Sequence, residues 1–198
     1  MKQIRLGALI TAVLLSTAMV ASLPQIAAFA ASSIGLEPDV CDESGEGYAA
    51  AQYVNYSGHM PLSLKVTGHP NGDFEAAYGE FETISGTTWT SIQMDIAGTS
   101  LGSGYGPYLF MYVNVPGEGL KQVYVALNAG KSLGKGDLPS STRRIFEPAK
   151  LGFPSGCTID SAFIEAGQVG GTGQTYIDNT QVNGTQVNKI MKVLICGQ

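Results

Sequence analysis

Leu62-Ser63-Leu64-Lys65-Val66-Thr67 alternates apolar and polar residues without interruption, the period-two pattern of a strand that buries one face. The same grammar continues on its C-terminal side. Residues 74–84 read as one long strand or two short ones, and Ser85-Gly86 turns the chain into 88–96, where Ile92, Met94 and Ile96 share one side. Residues 108–115 are rich in aromatic and β-branched side chains and stop at Pro116-Gly117, a turn signal. Residues 121–127 place Val123, Val125 and Leu127 together, and 157–166, 174–182 and 185–196 complete the series. The last two flank Asn183-Gly184, the dipeptide most typical of a type I′ hairpin turn. Residues 49–51 and 140–145 each suit a single helical turn, but no sustained helical stripe exists after the N-terminal segment. Short strands spaced by glycine-rich turns predict an all-β fold, an antiparallel β-sandwich or jelly roll.

The chain has 198 residues, of which 14% are charged, with 16 acids against 11 Lys and Arg for a net charge of −5. An average soluble protein carries about 25% charged residues, so a disordered polyelectrolyte is excluded. A net acidic surface also argues against nucleic acid, which proteins bind chiefly through Lys and Arg. Residues 1–30 have the form of a secretory signal peptide: Lys2 and Arg5 lead, 6–21 is almost wholly apolar, and Ala28-Phe29-Ala30 offers a small-x-small cleavage site. Export to the extracellular space or cell surface follows as an expectation, with no membrane span left after cleavage. Residues 31–61, which hold Glu37, Asp39, Asp42, Glu43 and Glu46, form an acidic segment that can supply a first strand. Residues 62–198 are the expected sandwich domain.

An exported chain can form disulfides. Cys41, Cys157 and Cys196 are odd in number, so one bridge at most closes within the chain. If 157–166, 174–182 and 185–196 form a meander, Cys157 and Cys196 stand about 30 Å apart at the usual strand rise. Bridged Cα atoms lie within about 7 Å. Cys41 is therefore the shared partner of either Cys157 or Cys196, and Cys41–Cys196 is the preferred pair because it ties the first strand region to the last.

Catalytic motifs fail on context. Gly98-Thr99-Ser100-Leu101-Gly102 has the G-x-S-x-G spacing, but strand rather than helix follows it and both His59 and His69 precede it. Gly130-Lys131-Ser132 lacks the first glycine of a phosphate loop and reads as a turn. His59 and His69 lie in polar surroundings and read as surface residues.

Two segments carry a family likeness: Asn71-Gly72-Asp73-Phe74-Glu75, and Thr175-Tyr176-Ile177-Asp178-Asn179-Thr180-Gln181-Val182-Asn183-Gly184, with a Trp-containing strand at 86–96 between them. Together they resemble the jelly-roll carbohydrate-binding modules and the wider galactose-binding-like sandwiches, over about residues 62–198. The resemblance implies polysaccharide or glycan as the partner and a structural Ca²⁺, with Asp178, Glu75 and Asp73 as the candidate ligands. The long stretch before Asn71 departs from those families, which start close to this segment.

Sugar binding needs aromatic faces for pyranose C–H groups and polar side chains for hydroxyls. Tyr105 and Tyr108 are the leading candidates because 102–108 reads as a loop. Trp89, out of phase with Ile92, Met94 and Ile96, is expected to face solvent. Tyr112 and the pair Tyr53/Tyr56 complete the set. With what the resemblance implies, the expectation is a secreted, non-catalytic sandwich that binds extracellular or cell-surface carbohydrate. Two alternatives stand beside it: a self-associating cell-surface or matrix protein, and a jelly-roll hydrolase, for which Glu80 and Glu82 share one strand face.

Overall fold

The computed structural model describes residues 33–42, 49–67, 75–98, 107–167 and 172–191, all within the compact unit Ser32–Gln198. Among them the chain forms thirteen strands. They are β1 (Gly35–Asp42), β2 (Ala49–Tyr53), β3 (Leu62–Thr67), β4 (Glu75–Glu82), β5 (Ile92–Gly98), β6 (Tyr108–Val115) and β7 (Gly119–Ala126). There follow β8 (Lys131–Lys135), β9 (Thr142–Phe146), β10 (Thr158–Gly167), β11 (Thr172–Val182), β12 (Thr185–Gln186) and β13 (Asn188–Lys189). Sheet A runs β13-β1-β4-β10-β6-β7; sheet B runs β2-β3-β11-β5-β9-β8, with β12 paired to β11. The β1–β13 pair is parallel and the other pairings are antiparallel. The architecture is an antiparallel β-sandwich of the jelly-roll kind, as the sequence predicts.

Period-two burial builds it. Leu62, Leu64 and Val66 of β3 are fully buried, and Leu109, Met111 and Val113 of β6 and Ile164 of β10 meet them in the same core. Burying such side chains stabilises by about 1.5–3 kcal/mol each. The sheets approach closely at Gly79, where a Cβ would stand 2.5 Å from Leu62 Cδ2 and 3.2 Å from Leu36 Cδ1. A larger residue there would have to displace the ends of the Leu62 and Leu36 side chains.

Three expectations change. Residues 49–51 and 140–145 are not helical turns: 49–51 lie in β2, and 142–145 lie in β9 after a turn at Ser140, because pairing with β3 and β5 overrides the local preference. The strand expected over 88–96 begins only at Ile92. The final three segments do not form a meander, since β10 lies in sheet A and β11 in sheet B. Their apolar faces, Ala162, Ile164 and Ala166 against Ile177 and Val182, bury into one core from opposite layers. The acidic segment upstream of Leu62 supplies β1, an interior strand between β13 and β4, and β2.

The Asn183-Gly184 turn does join β11 to β12, with φ of 53° and 79°. Cys157 is a free, buried thiol that donates to the Pro154 carbonyl at 3.2 Å. Of the expected Cys41–Cys196 pair, the Cys41 side chain and all of Cys196 lie outside the described residues, as does the signal segment. No helix among the described residues is long and apolar enough to cross a membrane.

Candidate functional site

In β6, Leu109, Met111, Val113 and Val115 are buried while Tyr108, Phe110, Tyr112 and Asn114 alternate to the other side. The same alternation in β10 turns Ser161, Phe163 and Glu165 outward, and in β4 it turns out Tyr78, Glu80 and Glu82. Register then decides which of these meet. Glu37, Glu80, Phe163, Phe110 and Tyr124 stand opposite one another across β1, β4, β10, β6 and β7. The adjacent row is Asp39, Tyr78, Glu165, Tyr108 and Ala126.

The rings form a continuous ladder. Tyr78 meets Phe163 edge-on at 5.8 Å, Phe163 stacks on Phe110 at 4.5 Å, and Phe110 meets Tyr124 edge-on at 5.7 Å. Tyr108 stacks on Tyr124 at 4.3 Å, and Tyr112 meets Phe110 at 5.2 Å. Such pairs add about 0.5–1.5 kcal/mol each beyond area burial, so the rings hold one another in place. They nonetheless stay open to solvent: Tyr124 is 50% exposed and Tyr112 36%. Beside them Asp39, Tyr78, Glu80, Phe163 and Glu165 line a groove of about 330 Å³.

The electrostatics of this face are one-sided. It carries Glu37, Asp39, Glu80, Glu82 and Glu165. The basic residues in the strands of sheet A, Lys121 and Lys189, occupy register positions opposite Val113 and Leu36, whose side chains face the core. Glu165 is half-buried between Tyr78 and Tyr108, and this burial pushes its carboxyl pKa up.

Tyr108 and Tyr112 thus lie on the open face, while Tyr105 lies outside the described residues. Trp89 does not face solvent: it is 1% exposed, donates its indole N–H to the Phe146 carbonyl at 3.3 Å and packs on Phe153. The phase of Ile92, Met94 and Ile96 does not extend back to it because Trp89 precedes β5, its backbone N–H donating to the Cys157 carbonyl at 2.8 Å. Tyr53 is half-buried and donates its hydroxyl to the Leu36 carbonyl at 2.6 Å. Tyr56 stacks on Tyr176 at 4.4 Å. Phe110, Phe163, Tyr78 and Tyr124 were not among the expected binding residues. Alternation alone sets Phe110 beside Tyr108 and Tyr112, but the partners on β4, β7 and β10 require the register.

The expected calcium ligands are divided. Asp178 lies on β11 of sheet B and Glu75 on β4 of sheet A; Asp73 and the Glu75 side chain lie outside the described residues. Lys189 Nζ stands 2.9 Å and His59 Nδ1 3.3 Å from the two Asp178 oxygens. Among the described residues no group of three or more His, Cys, Asp and Glu is placed to hold a metal ion.

No family model and no curated protein matches the chain. Solved structures do. A family 30 carbohydrate-binding module aligns at 9% identity and TM-score 0.45, over 82% of this chain and 89% of that one. A family 11 module from Clostridium thermocellum, solved in complex with a β-1,3-1,4-mixed-linked tetrasaccharide, gives 14% and 0.40 over 79% and 92%. A β-1,2-glucanase from Parabacteroides distasonis gives 12% and 0.44, over 76% of this chain and 23% of that one. Carbohydrate-binding modules are therefore among the structures this chain is similar to.

Proposed function

We propose that this protein is an exported, non-catalytic β-sandwich that binds polysaccharide on the outward face of sheet A. The observation that carries the reading is the ladder Tyr78–Phe163–Phe110–Tyr124, four rings contributed by four adjacent strands and left accessible. Strands lie about 4.8 Å apart, so the ladder spans roughly 14 Å, a length suited to several sugar units rather than one. Ring faces stack on pyranose C–H surfaces, and the flanking carboxylates accept hydrogen bonds from hydroxyls.

Affinity electrophoresis in a panel of soluble polysaccharides tests this. At least one polymer is expected to retard the protein, and Phe110→Ala with Phe163→Ala is expected to weaken that binding about tenfold, the loss of two rings from the middle of the ladder being set against the roughly 1–3 kcal/mol that one aromatic platform contributes to stacking a nucleic-acid base. Retention unchanged in the double variant would remove the face from the reading. The calcium expectation requires Lys189 to leave Asp178. A melting temperature no lower in EDTA than in calcium removes it, because a ligand bound only by the folded state must stabilise that state.

A hydrolase is the second reading, and one observation favours it. Glu80 and Glu165 are diagonal neighbours on β4 and β10 and line the same groove, which brings together the two carboxyl groups that glycoside hydrolysis uses. The release of reducing ends from the bound polymer, abolished by Glu165→Gln and by Glu80→Gln, would support it; no release leaves the binding reading in place.

A further inference from the structure

We propose that this face selects glycans bearing a protonated amine, with Glu165 as the carboxylate that receives the ammonium group. The inference rests on the glycan-binding reading above and names the substrate class of the same site. Glu165 sits in register between Tyr78 and Tyr108. Its carboxylate makes no hydrogen bond or ion pair with a described residue, although it is half-buried. An isolated carboxylate in that position is costly, and a ligand cation is the partner that offsets the cost. The flanking tyrosine rings add to the attraction, since the face of an aromatic ring is the negative end of its quadrupole.

The rest of the face selects in the same direction. Glu37, Asp39, Glu80 and Glu82 surround the ladder, and no Lys, Arg or His side chain is set on this face among the described residues. A uronate polymer would bring like charge to every one of these positions, which costs affinity and slows encounter. A neutral glucan would stack on the rings but leave Glu165 unpaired. A β-linked glucosamine chain satisfies both the rings and the carboxylate: its pyranose faces cover Phe110, Phe163 and Tyr124, and an ammonium substituent reaches Glu165.

Titration calorimetry of the full chain with β-1,4-linked hexamers of glucosamine, N-acetylglucosamine and glucose, at a pH where the amine is protonated, separates these cases. Acetylation removes the charge while leaving the pyranose ring. The glucosamine hexamer is expected to bind about tenfold more tightly than the other two, equivalent to 1.4 kcal/mol, and Glu165→Gln is expected to erase that preference while the weaker stacking affinity for the glucose hexamer persists. Equal affinity for all three hexamers in the wild type overturns the inference, whatever the variant does, and leaves the glycan-binding reading intact. A preference retained in Glu165→Gln also overturns it. Failure of all three hexamers and of the polysaccharide panel overturns both readings together.

Discussion

Arg143 holds Asp95 by both of its carboxylate oxygens, Nε donating to Oδ1 at 2.7 Å and Nη2 to Oδ2 at 2.9 Å. Asp95 is fully buried on β5, and the Asp137 backbone N–H and the Asn179 side chain also donate to it. Charge-assisted bonds in a two-pronged geometry are the strong kind. Burial by itself would raise the Asp95 pKa, but the bonds from Arg143, Asp137 and Asn179 outweigh it and hold the carboxyl below its ordinary value. The group thus stabilises the fold above its unfolded pKa, and that contribution is lost as pH falls through the lower folded one. Asp95→Asn is expected to cost about 1.5–3 kcal/mol at neutral pH, since hydrogen bonds to a charged group are lost, while Arg143 keeps its contact with Asp137 at 3.0 Å. Urea melts at several pH values check this: the difference between wild type and variant should shrink once the pH is below about 3.9, and a constant difference counts against the account.

Asn183 serves the turn and the packing at once. Its Oδ1 accepts from Thr90 N, Thr90 Oγ1 and Ser91 N, and its Nδ2 donates to the Thr88 carbonyl at 2.6 Å. It also adopts φ of 53°, a region glycine enters freely and alanine does not. Asn183→Gly keeps the turn and loses the bonds; Asn183→Ala loses both. Thermal melts should rank wild type above Gly and Gly above Ala, with the Gly variant down by about 1–3 kcal/mol for the unsatisfied groups. A Gly variant as stable as wild type would show that the side-chain anchors contribute nothing.

Glu165 predicts the opposite pH trend from Asp95. Tyr78 and Glu80 on β4, Tyr108 on β6 and Asp39 on β1 face it or line the same groove. Burial raises its pKa with no compensating cation, so the folded state binds its proton more readily than the unfolded chain does. Its charge therefore opposes folding at neutral pH, and the penalty disappears as pH falls through the raised value. Glu165→Gln should raise the melting temperature at pH 7 and leave it unchanged near pH 3. A lower melting temperature at pH 7 would contradict the sign.

Cys157 is expected to be inert. It is buried, and that burial raises the thiol pKa, leaving little of the reactive thiolate. Alkylation with iodoacetamide followed by peptide mapping should leave Cys157 unmodified in the folded protein and label it fully in denaturant. Rapid native labelling would mean that the segment around Gly156 opens far more often than its packing implies.

The alternation of 62–67 and 108–115 was enough to assign a layered all-β fold, because a strand with one buried face must repeat every second residue. It was also enough to place Tyr108, Phe110 and Tyr112 on one side. Asn183-Gly184 announced its hairpin for an equally local reason, the positive φ that both positions require. What lies beyond one strand was not legible. Trp89 went inward because the segment before β5 is pinned to Cys157 rather than continuing the strand, and β10 and β11 faced each other across the core rather than pairing edge to edge. The site itself depends on such relations: Phe163 lies beside Phe110, and Glu165 between two tyrosines, through hydrogen-bonded register between strands far apart in the chain. Residue pattern fixes which face a side chain takes; only the pairing of distant strands, set by burial summed over the whole core, fixes which side chains share it.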